Sequence, residues 1–339
     1  MEALLSPLAS FCIVATDPSQ VSAGRLGLQR IARDLDFDET RTGRVAIVAT
    51  ETLTNMVRHA GGGSLLARCL ERDGALGMEL LAIDRGPGMA RFADSARDGV
   101  STGGSAGTGL GAMRRMSDEF EVYTRSGAGT IVRMVLWNRD VAEAREELEV
   151  GAICVPKAGE TICGDAWAMR QHARGVTFLV ADGLGHGPDA SRAASSAVDV
   201  LYRQPEQSAL HILDAAHGRL RATRGAALAV MRYERARHEL AFAGVGNISA
   251  CILDRGARRA MVSHNGIVGH NMHKAEEYRY PWPAHATLVA HSDGLETHWN
   301  LAAFPGLADC HASIVAAMLF REHSRKRDDV TVLVARRMN

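Results

Sequence analysis

The chain has 339 residues, is 46% hydrophobic, and carries 39 Lys and Arg residues against 39 Asp and Glu residues. This length suits two domains, and the balanced charge excludes a global basic field that would attract nucleic acid or anionic lipid. Because it has no apolar stretch of about 20 residues, no basic N-terminal signal segment and no C-x-x-C cysteine pair, we expect a cytoplasmic protein with reduced thiols.

The first clear element is a helix predicted over residues 42–60, "TGRVAIVATETLTNMVRHA", which has an apolar side of helical periodicity. Glu51, Asn55 and His59 follow one another at four-residue spacing and therefore share one face. A carboxylate one turn from an amide oxygen suits a magnesium ion and a hydroxyl or water to be polarised. Taken alone, the same pattern is more typical of a polar face turned to solvent.

A strand is predicted next, in "MELLAIDRGPGM", and it ends at Asp84 with Gly86 and Gly88 close behind. A carboxylate at this position can accept a hydrogen bond from an exocyclic amine such as that of adenine. The two glycines would let the backbone approach the ring closely.

A glycine-rich segment, "STGGSAGTGLGAMRRM", then leads into a second helix. Backbone N–H groups at the start of such a helix can hold phosphates, and here Gly107, Gly109 and Gly111 stand at that start. Thr130 in "GAGTIVRM" opens the following strand. A single G-x-G is weak evidence, because turns use glycine freely, but the ordered set of four motifs is far more specific.

In this order, residues 10–137 resemble the GHKL ATPase fold, in its small branch of anti-sigma factors and switch kinases of the RsbW and RsbT type. The resemblance implies an α/β sandwich that binds ATP with Mg²⁺. It implies Asn55 as the magnesium ligand, Asp84 as the adenine contact, and the 107–111 glycines over the phosphates. It also implies Glu51 as the base that activates a protein serine or threonine, with His59 and Thr130 in the same nucleotide pocket.

The composition changes after "IVRMVLW" (131–137), where a charged, alanine-rich segment predicts a short connecting helix. We therefore expect a first domain over 1–137, a linker over 138–150 and a second domain over 151–339. In the second domain short β-like runs dominate, interrupted by one long helical segment, "DASRAASSAVDVLYR".

Acidic residues stand at several strand edges of this second half. Asp182 ends the run "VTFLVA" and is followed at once by Gly183, which alone could be a plain turn. Dispersed carboxylates are what a site for two oxygen-ligated metals needs, and the absence of Cys or multi-His spacing disfavours zinc and favours Mg²⁺ or Mn²⁺. The further acids are Asp165 in "ETICGDAWAM", Asp293 in "SDGL", and Asp328 and Asp329 in "KRDDVTVLVA".

The order G-D, A-D-G-x-G-H-G, G-V-G-N, S-D-G-L, R-D-D-V-T-V over residues 150–336 resembles the PP2C-like phosphatases of the SpoIIE and RsbX branch. The resemblance implies an α-β-β-α sandwich with mostly antiparallel central sheets and two Mn²⁺ or Mg²⁺ ions. Asp182 would bridge the metals, and the Gly183 carbonyl, Asp293 and Asp328 would complete their shell. Asp165 would support them or hold metal-bound water. Asp329 could exchange roles with Asp328.

One departure from the pattern is that an acidic pair near the first motif is split here into Glu160 and Asp165. His186 has two interpretations, a general acid for the leaving alkoxide or a histidine that merely turns the loop. His264, His270 and His273 match no metal-site spacing and are expected on the surface.

Together the two resemblances imply a partner-switching regulator, an α/β protein of two domains. Its phosphatase domain would act on a phosphorylated STAS-domain protein, and its ATP-binding domain would phosphorylate or sequester the same partner. An alternative is that the ATP-binding half is a non-catalytic module that grips a sigma factor or STAS protein and regulates the phosphatase in cis. A third is an ATP-regulated phosphatase outside any stress pathway. No contact with nucleic acid or membrane is expected.

Overall fold

The structure is a computed structural model that describes residues 10–89, 108–142, 147–272 and 274–338. The chain divides into two compact units, Met1–Arg145 and Glu146–Asn339. No described helix is long and apolar enough to cross a membrane. All six cysteines are free thiols.

The first unit contains a five-stranded antiparallel sheet in the order β1-β2-β3-β5-β4. The strand β3 is central and ends at Asp84, which places this carboxylate at the edge of the sheet next to Gly63 of β2. The strands are β1 (Phe11–Ala15), β2 (Gly63–Arg72), β3 (Ala75–Asp84), β4 (Glu119–Thr124) and β5 (Thr130–Trp137).

Within the described part of this unit, three helices accompany the sheet: α1 (Ser19–Asp34), α2 (Glu39–His59) and α3 (Thr108–Met116). The Asp38 side chain caps α2 by accepting from the Arg41 backbone N–H at 2.7 Å. The apolar side of α2 packs into the core, as its periodicity predicted, and leaves the opposite side for polar residues. Core members from α2 are Val45, Val48, Ala49, Leu53 and Met56.

The described residues of the connection between the units differ from the expected helix. Residues 138–142 are not helical, and a strand, β6, begins at Leu148, inside the segment expected to be linker. The reason is pairing: the register of β6 with the last strand of the chain runs from Leu148 opposite Arg337 to Val155 opposite Val330. This hydrogen-bonded ladder outweighs the helix propensity of the charged residues.

The second unit is built from two five-stranded antiparallel sheets, in the orders β13-β10-β9-β8-β7 and β12-β11-β14-β15-β6. Their facing side chains form one apolar core, which includes Phe178, Phe242 and the fully buried Trp282. The strands are β6 (Leu148–Val155), β7 (Asp165–His172), β8 (Gly175–Gly183), β9 (Ala226–Glu234), β10 (Glu239–Val245), β11 (Ser249–Asp254), β12 (Ala257–Ala260), β13 (Tyr278–Pro281), β14 (Thr287–His291) and β15 (Val330–Arg337).

Helices cover both outer faces of these sheets, which completes an α-β-β-α sandwich. The helices α4 (Pro188–Arg203) and α5 (Ala209–Leu220) pack on the first sheet, and α6 (Ala312–His323) packs on β6 and β15. The expected fold class is confirmed. The prediction of a single helix in this half was wrong, because α5 and α6 are also present.

Candidate nucleotide and metal sites

Two carboxylates face each other across neighbouring strands of the second unit. Asp165, the first residue of β7, is the register partner of Asp182 near the end of β8. Gly183 continues this edge and donates its N–H to the Gly164 carbonyl at 3.1 Å. A side chain at 183 would meet the Ala190 carbonyl oxygen at 2.1 Å, so glycine is required for α4 to pack here. Strand register therefore brings together two acids that are 17 positions apart in sequence.

Three further acids surround this pair. Asp293 follows β14 and accepts a hydrogen bond from Asn247 Nδ2 at 2.7 Å. Asp328 is exposed, whereas its neighbour Asp329 is buried and accepts from the Lys157 backbone N–H at 2.9 Å. The two adjacent aspartates thus have different surroundings, a distinction that sequence could not make.

Burial and mutual repulsion perturb these acids strongly. Burial, followed by the neighbouring charges of Asp329 and Asp328, raises the pKa of Asp165 to about 7. Burial, and then the charge of Asp165, raises the pKa of Asp182 to about 9. The pKa of Asp293 is raised as well, mainly by burial. Such a set of acids is costly without a cation to neutralise it.

Two of the carboxylate oxygens, Asp165 Oδ2 and Asp329 Oδ2, are buried and have no hydrogen-bond partner within the described part of the chain. Unsatisfied buried anionic oxygens fit a site completed by a cation. No three His, Cys, Asp or Glu side chains among the described residues converge on one point that could hold an ion by themselves. The donor set therefore fits hard divalent ions held by carboxylates together with backbone oxygen and water.

Three of these acids line an open pocket of about 230 Å³. They are Asp182, Asp293 and Asp328, whereas the buried Asp165 and Asp329 are not part of its wall. Sequence reasoning gave no role to two other wall residues, Lys157 and Asn247, although Asn247 is part of the quoted "GVGN" motif. The remaining wall residues are Leu184, Gly185, His186 and Ala227.

The other histidines lie elsewhere in the second unit. His264 is half-buried and stacks on Tyr278 with ring centroids 5.9 Å apart, so its expected place on the surface is only partly correct. His270 is exposed, and its Nε2 lies 3.0 Å from the Thr223 carbonyl. His273 lies outside the described residues.

In the first unit, the start of α3 lies against the polar face of α2. A Cβ placed on Gly109 would be 2.7 Å from Glu51 Oε2 and 3.4 Å from Asn55 Nδ2. His59 is at the exposed end of the same helix. Because α3 begins at Thr108, Gly109 and Gly111 lie in its first turn rather than before it, and the N–H group of Gly109 has no acceptor within the helix. Gly107 lies outside the described residues.

Asp84 holds the turn beyond β3. Its Oδ1 accepts from the backbone N–H groups of Gly86, at 2.8 Å, and Thr130, at 3.1 Å. Side chains at the two nearby glycines would collide with the chain: with Ala60 Cα at 2.7 Å for position 86, and with the Arg125 carbonyl oxygen at 1.9 Å for position 88. The described contacts thus give Gly86 and Gly88 a role in packing this turn.

Family models match both units. Residues 14–136 match the histidine kinase-like ATPase domain, and residues 172–338 match the stage II sporulation protein E (SpoIIE) family. The serine/threonine-protein kinase RsbT of Bacillus subtilis (strain 168) is 30% identical over 126 residues, which are 37% of this chain and 94% of RsbT.

Two further similarities concern a phosphatase and a solved structure. The phosphoserine phosphatase RsbX of the same organism is 21% identical over 154 residues, or 45% of this chain and 77% of RsbX. A structure described as "The bacterial stressosome: a modular system that has been adapted to control secondary messenger signaling" is 33% identical with a TM-score of 0.53, covering 56% of this chain and all of the other. The chain therefore belongs to the RsbT-like branch of the histidine kinase-like ATPases through its first unit, and its second unit carries a PP2C-type phosphatase domain that matches the SpoIIE family.

Proposed function

We propose that this protein is a cytoplasmic partner-switching regulator whose second unit removes phosphate from a serine or threonine of a STAS-domain protein. The observation that carries this proposal is the facing pair Asp165 and Asp182, whose pKa values are raised at the edge of a pocket lined by further carboxylates. The similarity to RsbX, a phosphoserine phosphatase, supports the same reaction.

In this proposal Asp182, the Gly183 carbonyl, Asp293 and Asp328 hold two Mn²⁺ or Mg²⁺ ions. When bound, such ions lower the pKa of a water and polarise the phosphoryl oxygens for in-line attack. Asp165, opposite Asp182 on the neighbouring strand, would support the site with negative charge that favours cation binding. Asp329 is assigned a supporting role, because its Oδ1 is already held by the Lys157 N–H.

The first unit is proposed to bind ATP with Mg²⁺. Asn55 would hold the magnesium ion, Asp84 would accept from the adenine amine, and the first turn of α3 would donate N–H groups to the phosphates. Glu51 would take the proton from the serine or threonine of the STAS-domain partner as it attacks ATP. His59, at the end of the same helix face, and Thr130, bound to Asp84, would line this pocket.

The phosphatase proposal is tested by incubating the full chain and Mn²⁺ with a phosphorylated STAS-domain protein and with p-nitrophenyl phosphate. We expect release of inorganic phosphate, abolished by Asp182→Asn while ATP binding persists. The proposal fails if the wild-type protein leaves both substrates intact. Equal loss of phosphatase activity and ATP binding in Asp182→Asn would indicate misfolding and would call for the milder Asp293→Asn.

A second candidate is that the ATP-binding unit grips a sigma factor or STAS protein without transferring phosphate. The close approach of Glu51 to Gly109 favours this candidate, because it restricts the space for a substrate hydroxyl beside the carboxylate. A transfer assay with radiolabelled ATP separates the two. Transfer that disappears in Glu51→Ala supports a kinase, and nucleotide-dependent partner binding without transfer supports the module.

A further inference from the structure

Three consecutive basic residues stand directly before the last acids of the second unit. They are Arg325, Lys326 and Arg327, and the residue that follows them, Asp328, belongs to the pocket wall. All three are exposed, and we call them the basic rim. Because the charges of the whole chain balance, this run is a local positive patch at the pocket rather than part of a general basic field.

The backbone fixes the basic rim beside the pocket at two points. The Arg325 N–H donates to the Gly294 carbonyl at 2.8 Å, and Gly294 directly follows Asp293 of the pocket wall. At its other end the rim runs into Asp328, and consecutive Cα atoms are about 3.8 Å apart. Between these points Lys326 has a φ of +58°, which turns the chain. The three cations therefore lie within a side-chain length of the pocket mouth.

The side chains of the basic rim form no ion pair and no hydrogen bond within the described part of the chain. Other exposed arginines of this unit do pair, for example Arg235 with Glu147 at 2.6 Å and Arg279 with Glu234 at 3.1 Å. Exposed cations without an internal partner are available to the acids of another protein, and such complementary charges decide which partner binds.

A second group of cations lies beside the pocket wall. Arg224 approaches Gly185 of the wall, since its Nη1 would be 3.1 Å from a Cβ at that position. Arg224 and Arg192 both contact Asp189, at 3.1 and 3.0 Å, so one carboxylate balances two guanidinium groups. Two further acids near the mouth compensate part of the remaining positive charge, and they are Glu160 and Glu296. With the basic rim included, the described mouth keeps an excess of positive charge.

We propose that the basic rim binds acidic side chains that flank the phosphorylated serine or threonine of the substrate protein, and that it determines which phosphoproteins the second unit accepts. This inference rests on the proposed phosphatase function and names the chemistry of its substrate. An extended chain advances about 3.3 Å per residue, so acids two to four residues from the phosphate reach the rim. A run of three cations is shorter than the basic segments that hold nucleic acid, and this one borders a pocket for a phosphorylated side chain.

The test compares phosphoserine peptides of equal length in the full-length, Mn²⁺-loaded protein. One peptide has acidic residues at the flanking positions, the other has the matching amides, and p-nitrophenyl phosphate has no flanking residues. For wild type we expect kcat/KM to be about 10-fold higher on the acidic peptide, through a lower KM. Lys326→Gln combined with Arg327→Gln should remove this preference without changing kcat or the hydrolysis of p-nitrophenyl phosphate. The matched control removes two exposed arginines of α1, as Arg30→Gln with Arg33→Gln, and should keep the preference.

Charge reversal and salt provide further readouts of the same contact. Lys326→Glu combined with Arg327→Glu should favour a peptide with lysine flanks, and the wild-type preference should shrink when NaCl is raised from about 50 to about 300 mM. A loss of equal size on both peptides and on p-nitrophenyl phosphate would overturn the inference, because it would indicate that the rim supports the metal site. A wild-type protein without the preference, or a Gln double variant that keeps it, would overturn it as well.

Binding of peptide analogues separates this inference from the proposed function. In the analogues a methylene replaces the serine oxygen, so the phosphorus–carbon bond is not hydrolysed, and fluorescence anisotropy follows their binding. We expect the acidic analogue to bind wild type about 10-fold more tightly than the amide analogue, and the Gln double variant to bind both equally. If wild type shows this preference but hydrolyses no phosphomonoester, the proposed phosphatase function fails and the recognition of acidic flanks stands. Tighter binding of an RNA oligonucleotide than of the acidic analogue, lost in the same double variant, would assign the rim to nucleic acid and overturn the inference.

Discussion

Replacing Asp165 by asparagine should stabilise the metal-free phosphatase unit while weakening its response to metal. Asp165 is only 4% exposed and faces Asp182 across the β7–β8 ladder. Burial and neighbouring acids raise its pKa to about 7, against 3.8 for a solvated aspartate. Ionising the carboxyl in the folded protein therefore opposes folding, and asparagine has nearly the same shape without the charge.

Proton linkage gives the sign and the size of this change in stability. Because the folded-state pKa is raised, the folded protein binds more protons than the unfolded chain between pH 3.8 and 7, and stability falls as pH rises through this window. The raised pKa of Asp165 thus lowers the free energy of unfolding by at most about 4 kcal/mol at pH 8 and by about 1.6 kcal/mol at pH 5. We therefore expect Asp165→Asn to raise the melting temperature of this unit by up to about 10 °C at pH 8, and by less than half as much at pH 5.

Differential scanning fluorimetry in EDTA and in Mn²⁺ measures both effects. The two-unit chain can show two transitions, and the one that Mn²⁺ shifts in wild type belongs to the phosphatase unit. Asp199→Asn, at an exposed position on α4, is the matched control and should change neither condition. A lower melting temperature for metal-free Asp165→Asn at pH 8 would refute the reasoning, because the carboxylate would then be stabilised by its surroundings rather than repelled.

Three further predictions concern both units. Mn²⁺ affinity should fall as pH drops from 8 to 6, because metal binding must displace protons from Asp165 and Asp182, whose pKa values are raised. Calorimetry in two buffers of different ionisation enthalpy should reveal this proton release. Its absence would contradict the assignment of these acids to a metal site. Gly109→Ala should keep the fold, because alanine favours helices, but the added methyl group should displace the Glu51 carboxylate and lower any phosphate transfer from ATP. The control is Gly218→Ala, where an added Cβ meets no atom within 4 Å, and it should leave this transfer unchanged. Glu79→Gln should lower the free energy of unfolding of the first unit by about 3 to 5 kcal/mol in urea, because it removes the charge of a fully buried carboxylate that contacts both Arg68 and Arg133, and Arg133 then keeps its ion pair with Glu119. A loss under about 1 kcal/mol, no more than in the exposed control Glu71→Gln, would show that these two ion pairs contribute little.

The strands that carry the acidic residues, and the helix face that carries the polar residues, could be predicted because both depend on local sequence patterns. The apolar run that delivers Asp182, and the periodicity that aligns Glu51 with Asn55, are visible within a few turns or strand residues. The helix α6 was missed because eight consecutive residues from Ala312 to Leu319 are buried, which erases any amphipathic pattern. By contrast α5 has a signal that could have been used: Ser208 caps it and apolar residues repeat behind it.

The arrangement of the acids could not be predicted, because it depends on long-range register. The pairing of β7 with β8 sets Asp165 opposite Asp182, and the pairing of β6 with β15 brings Lys157 to Asp329. The contact between Glu160 and His186 depends in addition on two loops of irregular backbone. Each of these relations is fixed only when distant segments pair, and a single sequence carries no direct signal for that.

Asp84 and Asp182 show how far a local motif constrains function. Each ends a buried strand and has glycines just behind it, so the two segments look alike in sequence. Asp84 Oδ1 accepts from two backbone N–H groups, and these hydrogen bonds hold a turn. Asp182 instead faces a second buried acid, and its raised pKa reflects a charge that needs a cation. The different chemistry proposed for them, adenine recognition and metal binding, thus originates in the partners that each fold brings to the end of the strand.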